Sequence, residues 1–246
     1  MRLFSIHTWT SDADHDNDLR RVMPDLDLRS IPGPIVDPLP RRTDAWVAFA
    51  LEQIRPQIEN DNEPVSVIGW SYGGIVAAEV ARALHSEGRT IGVVAMIDSV
   101  RPRLHPQGFS ESFWYYLWEA SNIDNPDERW SRIRSGAWNV VKLVTKRWKK
   151  KVLPGQSLGP GDPVARAVHV SFLNYRGTAF PFTVDLFVAA ASEARWREPS
   201  LGWSASFTHA WNLHRLPGDH RTLYREDHIG DLARELYRAF ALQRGE

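Results

Sequence analysis

The chain has 246 residues with 30 basic and 30 acidic side chains, so its formal net charge is zero. A neutral chain has no overall electrostatic attraction to nucleic acid or to an anionic membrane, and we expect neither partner. The absence of cysteine excludes a disulfide scaffold, a thiolate nucleophile and cysteine-ligated zinc, and it fits a reducing compartment. The first residues lack the apolar core of a signal peptide, and no apolar run reaches the ~20 residues of a membrane span. We therefore expect a cytoplasmic protein.

Strand and helix patterns alternate along most of the chain. A strand is predicted at residues 3–6, and the acidic stretch 12–18 that follows it is typical of a solvated loop. The remaining strands are predicted at 26–31, 64–68, 90–97, 183–191 and 209–216. Helices are predicted from Thr43 as N-cap to Ile54, with Pro56 disturbing the end, and at 75–84, 163–175 and 226–242. This alternation predicts an α/β fold with a mostly parallel sheet.

The segment 104–162 interrupts this pattern. It contains two predicted helices rich in tryptophan and basic residues, 113–120 and 130–152, and ends in a linker rich in proline and glycine. We interpret it as a helical lid inserted into a single domain that spans residues 1–246. Its aromatic residues either line an apolar acyl or aryl pocket or pack the lid onto the sheet. They are Trp114, Tyr115, Tyr116, Trp118, Trp138 and Trp148.

The motif Gly69-x-Ser71-x-Gly73 lies between a strand of β-branched residues and a helix of small residues. In this context the serine sits on a sharp turn that projects its hydroxyl clear of the sheet, and the glycines let helix and strand approach closely. The pattern predicts that Ser71 is a nucleophile. The backbone N–H of Tyr72, at the start of the helix, would face a developing oxyanion.

A serine nucleophile needs a base, and the base needs an acid that holds its tautomer. Among nine histidines, His220 is the candidate base because it follows the last strand and precedes the last helix, at the sheet edge where sites form. Asp98 ends the strand after the nucleophile's helix and is the candidate acid, with Glu193 as its substitute. His7 ends the first strand and suits an oxyanion loop better than a base. His15 lies among acids and is expected to be solvated.

Other histidines favour structural roles. His85, His169 and His214 fall within predicted helices or strands, where a histidine with satisfied hydrogen bonds is the simpler interpretation.

Five segments of the chain resemble one enzyme family. They are Val65 to Ala81, Ile97-Asp98-Ser99, Tyr175 to Ala191, Leu201-Gly202-Trp203, and Leu216-Pro217-Gly218-Asp219-His220. In this order they are similar to the α/β-hydrolase thioesterase domains that terminate nonribosomal peptide and polyketide assembly lines. The resemblance implies an α/β-hydrolase fold in which Ser71 takes an acyl or peptidyl chain from the phosphopantetheine thiol of a carrier protein. It also implies that His220 is the base, Asp98 the acid and 104–162 a lid over the substrate.

The loop after the first strand departs from the family pattern. The family usually has a histidine, a proline and two glycines there, which turn a second backbone N–H toward the oxyanion. This chain has His7-Thr8-Trp9-Thr10-Ser11 instead. We place the second donor at Thr8 or Trp9 and expect slow or specialised activity, because loss of one such donor costs on the order of 10²-fold or more in rate.

Two charged segments have plainer interpretations. The alternating aspartates that begin at Asp12 resemble a calcium loop, but Asn17 stands where glycine is needed and Met23 where glutamate is needed, so no metal is predicted. The basic run 146–151 either docks an acidic carrier protein or is an exposed helix face.

Three hypotheses follow for natural-product biosynthesis. The first is a serine thioesterase that needs no cofactor of its own, with its substrate carried on the phosphopantetheine of an acyl or peptidyl carrier protein and released by hydrolysis or cyclisation. The second is an esterase, lactonase or amidase that acts on a free small molecule. The third is a carrier-binding module with a weakened site. Because no carrier domain precedes the first strand, we expect a free-standing protein.

Overall fold

A computed structural model describes residues 2–8, 13–34, 36–59, 63–102, 163–177 and 179–245. The predicted lid at 104–162, with Trp114, Tyr115, Trp118 and Trp138, lies outside these residues, as do Trp9 and the basic run 146–151. Their assignments stay predictions.

Within the described residues, six strands form one parallel sheet in the order β2-β1-β3-β4-β5-β6. The strands are β1 (Arg2–Ile6), β2 (Asp27–Ile31), β3 (Val65–Trp70), β4 (Ile91–Ile97), β5 (Val184–Ala189) and β6 (Trp211–Leu216). The central strands are buried along nearly their whole length, as expected of a parallel sheet with helices on both faces. The strand order reverses between β1 and β3, and ligands of open α/β sheets bind at such a switch point, beyond the carboxyl ends of the strands.

Helices cover both faces of the sheet. They are α1 (Ala13–Val22), α2 (Thr43–Ile58), α3 (Tyr72–Ser86), α4 (Pro163–Asn174), α5 (Ala190–Trp196) and α6 (Glu226–Arg244). One core cluster joins α2, α3 and part of α4 to the sheet. The second cluster joins α1 and α6 to the opposite face. In α6 the buried residues recur at helical spacing, from Ile229 through Leu232 and Leu236 to Phe240.

The structure corrects the predicted loop at 12–18. Residues 13–22 form α1, because Leu19 and the following Met23 are fully buried against the sheet. The acidic side chains obscured this apolar spacing. The strand predicted at 183–191 ends earlier than expected. β5 stops at Ala189, and the chain continues directly into α5.

The ends of α2 also differ from the prediction. Arg42, with extended backbone, occupies the N-cap position, while Thr43 lies inside the first turn. The helix continues through Pro56 to Ile58, because the buried Ile54 and Ile58 anchor its last turns to the core.

Candidate active site

Ser71 lies at the sharp turn between β3 and α3. Its backbone has φ 55° and ψ −123°, a conformation that a non-glycine residue adopts at an energetic cost. The turn is held by backbone hydrogen bonds, from Ser71 N to the carbonyl of Ile97 at 2.8 Å and from Gly74 N to the carbonyl of Ser71 at 3.2 Å. Strain held in this way is typical of a functional position.

Three glycines around Ser71 allow helix and strand to approach closely. A Cβ atom on Gly69 would overlap the backbone of Gly73, and one on Gly73 would lie 2.7 Å from the carbonyl oxygen of Ile6. A Cβ atom on Gly74 would overlap the Ser99 hydroxyl. The motif glycines are therefore required by the packing of β1, β3 and α3, as the sequence pattern predicted.

Tyr72 anchors one side of the turn in the core. Its hydroxyl donates to Thr43 Oγ1 at 3.1 Å, and its ring lies edge-on to Trp46 at 6.0 Å. Burial raises the pKa of the Tyr72 phenol to about 12. The phenol therefore stays a neutral donor, and it fixes the first residue of α3 whose N–H is the predicted oxyanion donor.

Asp98 and His220 are brought together from positions 122 residues apart. His220 Nδ1 lies 2.7 Å from Asp98 Oδ2. The same oxygen accepts a bond from the Ser192 hydroxyl at 2.7 Å, and Oδ1 accepts one from the Ala189 N–H at 3.1 Å. A carboxylate only accepts, so the proton belongs on Nδ1 and the lone pair on Nε2 of the imidazole. Asp98 is 1% exposed, whereas His220 is 39% exposed.

Two contacts at this site escaped the sequence analysis. Ser192 lies in α5, a helix that was not predicted. Trp70, the variable residue of the serine motif, donates its indole N–H to the carbonyl of His220 at 3.1 Å, and the two rings stack. An aromatic residue directly before the nucleophile was the available signal for the second contact.

The predicted substitute acid faces elsewhere. Glu193 Oε2 accepts a bond from Arg215 Nε at 2.8 Å, and this hydrogen bond lowers the pKa of the Glu193 carboxyl. Among the described residues, Asp98 is the carboxylate bonded to the His220 imidazole.

His7 and Thr8 follow β1 at the switch point, and both are buried. His7 Nε2 lies 2.7 Å from Asp16 Oδ2, and Asp16 also accepts a bond from the Ser30 hydroxyl. Burial raises the pKa of Asp16, but its interactions with His7, Ser30 and Ser5 together outweigh burial, so the pKa lies below the ordinary 3.8. Asp16 thus anchors the loop that carries the predicted donor Thr8. No cluster of three or more acidic or histidine side chains suited to a metal occurs in the described part of the chain.

Two other histidines differ in their surroundings. His15, expected to be solvated, instead stacks on Tyr224 with ring centroids 4.4 Å apart, because α1 carries it inward. His214 in β6 lies 3.0 Å from both Asp185 and Glu235. Burial lowers its pKa, but the hydrogen bonds to the two carboxylates outweigh burial and raise the pKa above 6.5.

The chain is similar in sequence to known thioesterases and peptide synthetases. Residues 18–110 match the family model described as a thioesterase domain. The nonribosomal peptide synthetase ucdA of Aspergillus ustus is 25% identical over 199 residues, which cover 74% of this chain and 21% of that protein. The thioesterase pytI of Aspergillus terreus is 32% identical over 106 residues, which cover 42% of this chain and 34% of that protein. This chain thus spans about a fifth of the synthetase and a third of the thioesterase.

The fold is shared with solved thioesterase domains. The NocB thioesterase domain from the nocardicin cluster superposes with a TM-score of 0.65 at 20% identity, covering 98% of this chain and 92% of that one. The described residues contain no helix long and apolar enough to cross a membrane. The resemblance stated from the five sequence segments is confirmed: the protein has the α/β-hydrolase fold and is similar to the thioesterase domains of nonribosomal peptide synthetases.

Proposed function

We propose that the protein is a serine thioesterase that releases an acyl or peptidyl chain from the phosphopantetheine thioester of a carrier protein. The observation that carries the proposal is the 2.7 Å bond between Asp98 and His220. It lies at the same sheet edge as the strained turn of Ser71. The relatives named above, a peptide synthetase and a thioesterase, support thioester chemistry over other reactions of this fold.

In the first half-reaction, Ser71 Oγ attacks the thioester carbonyl carbon while His220 Nε2 takes the hydroxyl proton. Asp98 stabilises the resulting imidazolium through Nδ1. The C–S bond then breaks, and His220 returns the proton to the departing pantetheine sulfur. An acyl-Ser71 ester remains, and the carrier leaves as a free thiol.

The oxyanion formed in this step needs backbone donors. The N–H of Tyr72 begins α3, where the helix dipole favours negative charge. We assign the second donor to the backbone N–H of Thr8, since its loop follows β1, the strand next to β3. The bond between His7 and Asp16 positions this loop, a role that the glycines have in the family.

The second half-reaction resolves the ester. His220 Nε2 removes a proton from water, or from a nucleophile within the bound chain, as that group attacks the acyl carbon. Ser71 Oγ leaves and regains its proton from the imidazolium. Water yields a free acid, and an internal nucleophile yields a ring.

The test is intact-protein mass spectrometry after incubation with acyl-pantetheine thioesters and with carrier-bound analogues. The wild type should gain the mass of the acyl group, Ser71→Ala should not, and Ser86→Ala should behave as the wild type. Ser86 is a matched control because it is an exposed serine in the same helix, bonded to the carbonyl of Ala83. The absence of any Ser71-dependent adduct or product with every donor would refute the proposal. Reaction with free esters but no thioester would move the assignment to a free-substrate hydrolase.

A further inference from the structure

Trp70, directly before the nucleophile, contacts the loop of the proposed base in two ways. Its indole N–H donates to the backbone carbonyl of His220 at 3.1 Å. Its ring stacks on the imidazole with centroids 4.7 Å apart and planes inclined by 27°. The two residues are 150 positions apart in the chain, so this contact exists only in the folded protein. The proposed mechanism assigns it no role.

The indole is held on its other sides as well. His15 of α1 meets it edge-on at 5.1 Å and 88°, and Tyr224 meets it at 6.3 Å and 72°. Tyr224 is buried and follows His220 in the loop between β6 and α6. Trp70 is therefore fixed between α1 and this loop and presents one ring face to the imidazole.

The imidazole needs such support because it is 39% exposed. The bond to Asp98 fixes the position of Nδ1 but leaves the ring free to tilt about the line that joins the two groups. A stacked indole restricts this tilt and so fixes where Nε2 points. The ring face also attracts the cationic imidazolium that forms as the serine proton is taken.

We propose that Trp70 is a positioning residue that sets the plane of the His220 imidazole for proton transfer from Ser71. This inference rests on the proposed function. It adds that the residue before the nucleophile orients the base. Asp98 then holds the imidazole by a hydrogen bond to Nδ1, in the plane of the ring, and Trp70 holds it by contact with the ring face.

The kinetic test compares Trp70→Phe, which keeps an aromatic face but loses the N–H donor, with Trp70→Leu, which loses both. We expect Trp70→Leu to lower kcat by about 10²-fold, the usual cost of a misplaced catalytic group, with KM nearly unchanged. Trp70→Phe should lose about two- to tenfold, the value of one hydrogen bond. Trp211→Leu is the matched control. Trp211 is the first residue of β6, so it lies at the amino ends of the strands, away from the site, and it packs on Phe207.

A nuclear magnetic resonance measurement reads the contact without turnover. In protein with labelled histidine, the His220 signals are assigned by their loss in His220→Gln. The wild type should show a downfield Nδ1–H proton and ring-current shifts from the indole. Trp70→Leu should broaden the first signal and remove the second, whereas Trp211→Leu should alter neither.

The outcomes separate the two proposals. A wild type without Ser71-dependent chemistry refutes the thioesterase, while the spectra still report whether Trp70 orders His220. A folded Trp70→Leu variant that retains kcat within about threefold and keeps the wild-type His220 signals overturns the positioning role. If this variant does not fold, Trp70→Phe decides: lower kcat with a shifted His220 signal supports the role, and unchanged values overturn it.

Discussion

Replacing Asp98 with asparagine tests the acid of the proposed triad. The carboxylate is 1% exposed and accepts three hydrogen bonds, from His220 Nδ1, the Ser192 hydroxyl and the Ala189 N–H. An asparagine has one accepting oxygen and one donating amide group in the same space. In place of Oδ1 the amide group would face the Ala189 N–H. In place of Oδ2 it would face both the His220 imidazole and the Ser192 hydroxyl, and both would have to accept.

With the amide group toward His220 and Ser192, the Ser192 hydroxyl can rotate to accept, and the imidazole must accept through Nδ1. The imidazole proton then moves to Nε2, where the base needs a lone pair. We expect kcat to fall by about 10⁴-fold, the size of effect known for a forced tautomer. With the amide group toward Ala189, two N–H donors face each other in a buried site. A backbone N–H cannot become an acceptor, whereas a hydroxyl and an imidazole can, so this orientation costs about 1–3 kcal/mol of stability and the first one should dominate.

The assay is single-turnover release from an acyl-pantetheine thioester, combined with urea unfolding of each variant. Glu193→Gln is the matched control, because Glu193 was the alternative acid and its carboxylate is bonded to Arg215. It should retain nearly wild-type activity. The assignment of the acid is wrong if Asp98→Asn keeps more than about a tenth of the wild-type rate. It is also wrong if Glu193→Gln lowers the rate more than Asp98→Asn does.

Four further predictions concern stability. Gly74→Ala should cost about 1–3 kcal/mol in urea unfolding, since its Cβ atom has no space; Gly230→Ala, whose Cβ atom meets nothing within 4 Å in α6, should instead stabilise by about 0.5–1 kcal/mol. The raised pKa of His214 gives stability that is complete below about pH 6.5 and is lost as the pH rises through the folded-state pKa. Unfolding of His214→Gln across this range should lack that loss, and an identical pH profile would contradict it. The lowered pKa of Asp16 gives stability present above about pH 3.8 and lost as the pH falls through the folded-state pKa. Asp16→Asn should unfold with a flatter acid profile than the wild type, while an equally steep profile would show that the pair with His7 contributes nothing.

Local patterns predicted much of the fold because parallel strands and amphipathic helices impose their own spacing. The buried run at Val65 to Ile68 and the small-residue helix after it lie where the pattern placed them, although α3 begins at Tyr72 rather than at residue 75. The prediction failed for α1, where alternating aspartates suggested a loop. The apolar positions of this segment were too few to predict a helix, and their role became clear only from their packing against the sheet.

The candidate site likewise has parts that the local sequence predicted and parts that it did not. The serine motif is local, so its turn and its glycines were readable from six consecutive residues. Asp98 and His220 were found as strand ends, because parallel topology gathers such ends at one edge. Their catalytic roles, and that of Thr8, stay predictions.

By itself, the sequence determined the alternation of strands and helices and the sharp turn at Ser71, because each depends on residues close together in the chain. It also determined the resemblance to thioesterase domains, because that rests on several short segments, each a local pattern, in a fixed order. Only the tertiary structure decided which carboxylate meets the imidazole, that Trp70 stacks on it, and that Asp16 turns inward to His7. These contacts join residues from different elements. Their partners are chosen by sheet order and helix packing, which depend on the free energy of the whole core rather than on any local pattern.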